Sequence, residues 1–381
     1  MEATRTDTKK NEMKYEKSEL ELMTTYQLRE ICRREKIMNG VIHPLDKEEL
    51  IQTIMRYMGK RQDFLICDRK KGGEERVEEF LKNTRIVIKP SEELYCQSQI
   101  LAYEGLSIEY YDDYTIPYKK ELAGTNAFLI GSDMTLCAIL NLKEHGGKQE
   151  KLYLTKAAEL ETRETQRKDY RIFCMGRQTS ESLYHLYYGE HTILPEHIEV
   201  YSIPLIDFVV RKPVTLMLPM AIDFGSVNTT AGVYLDSAYF ENVGEQAAVK
   251  NCRENEINYT AFEDGNGESM LLPSVIGVLA VEEEDYKLLF GYDAIRLANA
   301  SYVDEGFCVF YDVKRWIGEY EKEEEIVDRQ GRRRLAKRAE ILRRFFLYII
   351  RKTENRFKCR ISQVHISSPV KQKHYFRRMF R

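Results

Sequence analysis

The sequence predicts a mixed α/β chain: a small N-terminal helical module, then an α/β block, then a second α/β segment built around a strand–turn–strand. Three observations carry this. Apolar residues recur at helical spacing over residues 25–58. Strand-like and helix-like stretches alternate over residues 62–218, as in α/β domains. From Met220 to Tyr234 (MAIDFGSVNTTAGVY), two apolar runs flank a turn of glycine and short polar residues.

The 381 residues give room for roughly two or three domains, and the 43% hydrophobic content supplies their cores. At 31%, the charged fraction falls short of a disordered composition. The polar N-terminus and the lack of any run of about eighteen apolar residues support neither a secretory signal nor a membrane span, so the expected location is cytoplasmic, with no membrane partner. Eight cysteines are scattered with no CxxC pair. That spacing argues against a zinc site built from close pairs and against a secreted disulfide framework.

Charge is unevenly placed. From Arg329 onward there are eighteen Lys/Arg against two Asp/Glu, although the whole chain carries −3. Such a basic region can attract nucleic acid. It can equally lie against acidic residues of the same chain, notably Glu319, Glu321, Glu323, Glu324 and Glu325.

In chain order, residues 1–20 read as a charged, disordered tail, and 21–61 as a helical module. Its first helix, Thr25–Glu35, puts Leu28, Ile31 and Cys32 on one stripe; its second, Asp46–Met58, carries Leu50, Ile51, Ile54 and Met58. Asn39-Gly40 and Pro44 break the chain between them, and Asp46 with Glu49 makes a capping pair. The pattern L-R-x-x-C…N-G…K-E-E-L-I resembles a SAP-type helix–extended–helix module, a family that binds DNA. A small helical docking pair is the alternative.

Residues 62–218 form an α/β domain with no spacing that demands chemistry. Strands are expected at Arg85–Ile88, Ser107–Tyr111, Ala127–Ile130, Lys151–Leu154, Tyr170–Cys174, Glu199–Ile203 and Phe208–Val210. Helices are expected at Glu74–Leu81, Glu92–Leu101 and Ser180–Tyr188, with loops at Gly72-Gly73 and Gly146-Gly147.

In the segment 219–381, a strand ends on the carboxylate of Asp223. Gly225 then lets the backbone close in, and short side chains leave room for a phosphate. A carboxylate there suits Mg2+, a hard cation with oxygen ligands. The same residues also suit a plain hairpin turn. Further on come strand-like Asn258–Phe262, a turn at 263–267, extended Leu272–Val278, a strand at Tyr286–Phe290 and a helix at Asp293–Ala298. After an acidic loop, a long helix is expected over Leu335–Thr353, its stripe formed by Leu335, Ala339, Leu342, Phe346 and Ile349. A half-buried strand follows over Ile361–Ser368.

Four stretches of this segment, in order, resemble the opening of the nucleotide-binding domain of the 70-kilodalton heat-shock chaperone (DnaK-like) family. AIDFGSVNTT is similar to its first phosphate loop, LLPSVIGV to its Pro-Ser strand, LLFGYDAIRLA to a strand-to-helix step, and VFYDVKRWIG to the element with the catalytic lysine. VHISSPV resembles the next core strand. The resemblance implies a partial actin-like (ribonuclease-H-like) ATPase lobe that binds ATP and Mg2+. Asp223 would order the metal's water shell. Gly225, Ser226, Val227, Asn228 and Thr229 would line the phosphates, and Lys314 would stand near the γ-phosphate. At Val227 the family has a second hydroxyl residue, so that contact falls to the backbone. The family's further carboxylates, second phosphate loop and adenosine pocket come later in sequence, so ATP binding is expected to need downstream sequence or a partner chain. A client protein is the other implied partner, and DNA is a candidate partner for residues 21–60 or the basic C-terminal region. The competing expectation is a non-catalytic scaffold with a degenerate actin-like lobe that recruits DNA or protein.

Overall fold

The computed structural model describes residues 15, 17–34, 46–58, 64–109, 114–145, 149–243, 251–264, 267–282, 284–299, 308–328, 331–367 and 373–379. Most of the 1–20 tail, the Asn39-Gly40 turn, Pro44, Tyr110-Tyr111, Gly146-Gly147 and Gly265-Asn266 lie outside them. The fold is mixed α/β: one curled seven-stranded sheet, open as a half-barrel, with several smaller sheets. No helix among the described residues is long and apolar enough to cross a membrane. The chain divides into two compact units: residues 1–62, 273–343 and 375–381, and residues 63–272 with 344–374.

In the first unit, helices Thr25–Arg34 and Lys47–Met58 bury Leu28, Ile31, Cys32, Leu50, Ile51 and Ile54 together. The Asp46–Glu49 cap forms reciprocally: Asp46 N–H donates to Glu49 Oε2 (3.0 Å), and Glu49 N–H to Asp46 Oδ1 (2.9 Å). Thr24 and Gln27 make a matching box on the first helix that the sequence reading overlooked.

Residues 273–343 supply a three-stranded sheet of Ile276–Val281, Tyr286–Phe290 and Val309–Phe310, and helix Tyr292–Asn299. The expected acidic loop is instead strand Glu323–Val327, paired antiparallel with Arg333–Lys337. The cause is charge complementarity across the strands: Arg333 meets Glu325 at 3.1 Å. Arg338, just beyond, bonds Glu324 and Glu319. Leu335 therefore sits on a strand and is 61% exposed, and the long helix starts later, at Arg338. In this region the basic residues Arg333 and Arg338 are engaged with carboxylates of their own unit.

In the second unit the seven strands run in the order Arg85–Lys89, His197–Leu205, Tyr170–Met175, Thr125–Gly131, Leu136–Lys143, Lys151–Thr155 and Thr115–Pro117. Only the first pair is parallel. Both faces of the centre are covered. Phe128 and Ile130 meet Val77, Leu81, Leu183 and Tyr187 of helices Gly73–Asn83 and Arg177–Tyr188. Ala127 and Leu129, facing the other way, join Ile100, Ala102 and Phe208 of a parallel pair, Gln99–Tyr103 with Asp207–Arg211. The expected helix Glu92–Leu101 is thus absent, because its end is drawn into parallel pairing with Asp207–Val209. Of the expected strand Ser107–Tyr111, the described residues 107–109 show an isolated bridge, Ile108 to Lys156.

The same unit holds a smaller sheet with strands Glu256–Tyr259, Asn228–Leu235, Met220–Phe224 and Val364–Ile366 side by side. Met220–Phe224 is antiparallel to Asn228–Leu235 and parallel to Val364–Ile366. Phe345 and Phe346, from the part of helix Arg338–Phe357 in this unit, pack on Phe224 with ring centroids 6.0 and 5.1 Å away.

Candidate functional site around Asp223

Met220, Ile222 and Phe224 are buried, while Ala221 and Asp223 are exposed. This period of two is what a strand with one covered face requires, and it puts the Asp223 carboxylate on the open side. The chain then turns sharply. Gly225 N–H donates to Asn228 O at 3.0 Å, and a Cβ on Gly225 would lie far inside van der Waals contact with that oxygen. Any other residue would force the turn open, which is why glycine stands here. Ser226 and Val227 form the exposed tip, with Val227 74% exposed. Asn228 is half-buried, and Thr229 is fully buried and paired opposite Phe224. The open groups of the turn are therefore the Ser226 hydroxyl and the backbone of residues 226–227, while the Thr229 side chain faces the core.

The strand beside Asp223 adds a residue that the sequence reading did not single out. Ser367, just past Val364–Ile366, donates its hydroxyl to Asp223 Oδ1 (2.5 Å) and accepts from Phe224 N–H (3.2 Å). Its own N–H donates to Ile222 O at 2.8 Å. One hydroxyl thus clips two parallel strands and fixes the carboxylate's orientation. Asp223 Oδ2 makes no hydrogen bond among the described residues. The only sequence signal for Ser367 was a hydroxyl following a strand that alternates apolar and polar residues. Because Met220–Phe224 and Val364–Ile366 run parallel, Asp223 and Ser367 come at the same edge of the sheet, at the carboxyl ends of both strands.

Lys314 belongs to the first unit. It lies half-buried in the 3-10 turn Val313–Glu319, anchored by buried Val313, Trp316 and Ile317. Trp316 stacks edge-on against Phe310 (4.8 Å) and lies under the guanidinium of Arg338 (5.4 Å). Asp312, which opens the turn, has a left-handed backbone (φ 54°) and an ion pair with Arg315. Its Oδ1 is buried without a hydrogen bond. A strained, partly unsatisfied residue two positions ahead of Lys314 is the kind of departure that functional segments retain.

Among the described residues, no group of three His, Cys, Asp or Glu side chains could hold a metal by direct ligation. A single carboxylate with one open oxygen suits a magnesium ion that keeps most of its waters and takes its other ligands from phosphates. No protein-family model matches this chain, and no curated protein matches it.

Proposed function

We propose that residues 219–381 form the opening part of an actin-like nucleotide-binding domain of the heat-shock chaperone type, in a cytoplasmic protein that uses ATP to change its grip on a client. The observation that carries this reading is the placing of Asp223 and Ser367 at the ends of neighbouring parallel strands, beside a turn that requires glycine. In support, the strand that the resemblance makes the next core strand is the one paired with the Asp223 strand.

In this reading Asp223 Oδ2 would be the atom that holds the waters of a bound metal, with Ser367 fixing Oδ1. Gly225, Asn228 and Thr229 shape the turn, and Ser226 with the 226–227 backbone faces the phosphates. The resemblance would give Lys314 the role of the cation for the γ-phosphate, whose charge spreads over the equatorial oxygens in phosphoryl transfer. Bound Mg2+ would supply neutralisation of the β- and γ-phosphate charge. Calorimetry of the full-length protein with ATP and Mg2+ should show metal-dependent binding that Asp223→Asn weakens about tenfold, and Lys314→Ala should slow hydrolysis about 10²-fold. Equal hydrolysis by Lys314→Ala at an unchanged unfolding midpoint discards the mechanism.

A second reading, a non-catalytic scaffold that recruits DNA, is motivated by Val227 at the tip and by the capped helix pair Thr25–Arg34 and Lys47–Met58. It expects salt-dependent retardation of duplex DNA by the full chain, weakened by Arg33→Ala. No retardation of duplex or single-stranded DNA at low salt removes it.

A further inference from the structure

A cavity of about 420 Å³ lies in the second unit, away from the Asp223 turn in sequence. Its walls include Gly105, Ser107, Glu159, Arg351, Glu354 and Arg360. That volume is in the range of pockets for small molecules, roughly 300–1,000 Å³. Three pieces of chain build it, and each is fastened to the next. The 105–109 loop is held to the long helix by Asn355, whose Oδ1 accepts from Ser107 N–H (3.2 Å) and whose Nδ2 donates to Glu109 Oε1 (3.2 Å). Lys352 adds an ion pair to Glu109 at 3.3 Å. The 156–160 loop is held to the same segment by reciprocal backbone bonds between Ile108 and Lys156, 2.9 and 2.8 Å. Lys156 then folds that loop over itself by donating to Ala157 O and Leu160 O at 2.9 and 2.8 Å. Walls fixed in this way spare a ligand the ordering of loops.

The charges divide unequally. Arg360 is committed: it pairs with Glu354 (3.2 Å) and donates to Glu104 O (3.0 Å), and it occupies space that a Cβ on Gly105 would take. Glu159 acts electrostatically on buried Lys156. Arg351 is the exception, with no ion pair or hydrogen bond among the described residues. The side-chain hydroxyl of Ser107, on the loop across from the helix, is likewise uncommitted. A planar guanidinium with open donors and a nearby hydroxyl matches the acceptor geometry of a carboxylate or phosphate group, which arginine takes with two parallel hydrogen bonds. We propose that this cavity binds a small oxyanion-bearing molecule, a carboxylate or phosphate ester, with Arg351 as its charge partner and Ser107 as a second donor. The cavity shares no lining residue with the proposed ATP turn.

Calorimetric titration of the full chain with inorganic phosphate and, separately, with succinate tests it at low ionic strength. The expected result is saturable binding of at least one of them, weakened tenfold or more in Arg351→Gln, weakened less in Ser107→Ala and unchanged in Asp223→Asn and Lys314→Ala. The two titrants tell the phosphate source from the carboxylate source. An unchanged melting temperature in Arg351→Gln shows that the loss is local. No saturable binding of either anion, or equal affinity in Arg351→Gln, overturns the proposal. Loss in Asp223→Asn or Lys314→Ala instead assigns the anion to the phosphate turn and also overturns it.

Discussion

Asn126→Ala is expected to destabilise the second unit by about 4 kcal/mol, because it strands several buried polar groups at once. Asn126 lies fully buried on the central strand of the large sheet. Its Oδ1 accepts from Ile66 N–H (2.9 Å) and Asn141 Nδ2 (3.0 Å), and its Nδ2 donates to Phe64 O (2.6 Å) and Ser180 Oγ (2.8 Å). Asn141 closes the ring by donating to Ile66 O at 3.2 Å. One side chain therefore ties residues 64–66 and helix Arg177–Tyr188 to the sheet. Truncation leaves the buried Ile66 N–H and one of the two side-chain N–H groups of Asn141 without an acceptor, and takes a donor from the half-buried Phe64 carbonyl; each buried group left unsatisfied costs on the order of 1–3 kcal/mol. Neighbouring members of one network do not act independently, so Asn126→Ala and Asn141→Ala together should cost less than their separate losses combined. Urea unfolding at constant slope reads the effect, and faster hydrogen exchange at the Ile66 amide shows where it acts. A midpoint shift worth less than about 1 kcal/mol would mean that the network relaxes around the gap.

The same network shows where sequence reading stops. Strand Leu136–Lys143, buried along nearly its whole length, has no counterpart among the expected strands, although its neighbour Thr125–Gly131 does, as Ala127–Ile130. A strand covered on both faces has no alternation, so LCAILNLK carries no period to read. Asn126 and Asn141 look like loop residues in one dimension, and only the sheet register that sets them opposite each other reveals a network. The helices, in contrast, were legible where local rules suffice. The Asp46–Glu49 box and the stripe of Leu50, Ile51 and Ile54 depend on residues three or four apart. Failures came where distant partners decide. The end of Glu92–Leu101 became a strand because Asp207–Val209 lies beside it, and Leu335 left the helix because Glu325 faces it across a hairpin. At the candidate site, Asp223 and Gly225 stand out through residue type and spacing. Ser367 does not, since its bond to Asp223 joins positions 144 apart.

The stability difference between the native chain and Lys156→Met is expected to change by about 3 kcal/mol between pH 8 and pH 10.5, in favour of the native chain as pH rises. Lys156 is almost wholly buried, and desolvation pushes its ammonium down to about 8, against the weaker opposing pull of Glu159. Below pH 8 the amine is charged whether the chain is folded or not, so the full penalty of burying a cation is present. Between pH 8 and pH 10.5 the folded chain has released the proton while the unfolded chain still holds it, and stability grows with pH. Above pH 10.5 both forms are neutral and the gain is complete. The uncorrected pH curve of the native protein will hide this. Burial pushes the Cys96 thiol up to about 11 and those of Cys137 and Cys359 to about 12, and these groups lose stability across the same alkaline range as the unfolded chain ionises first. Subtracting the Lys156→Met curve cancels them, because the cysteines are common to both chains. Chemical denaturation in steps from pH 7 to pH 11 checks the prediction. Parallel curves would show that the Lys156 ammonium is as well accommodated by Ala157 O and Leu160 O as by water, with its proton affinity unaltered by folding.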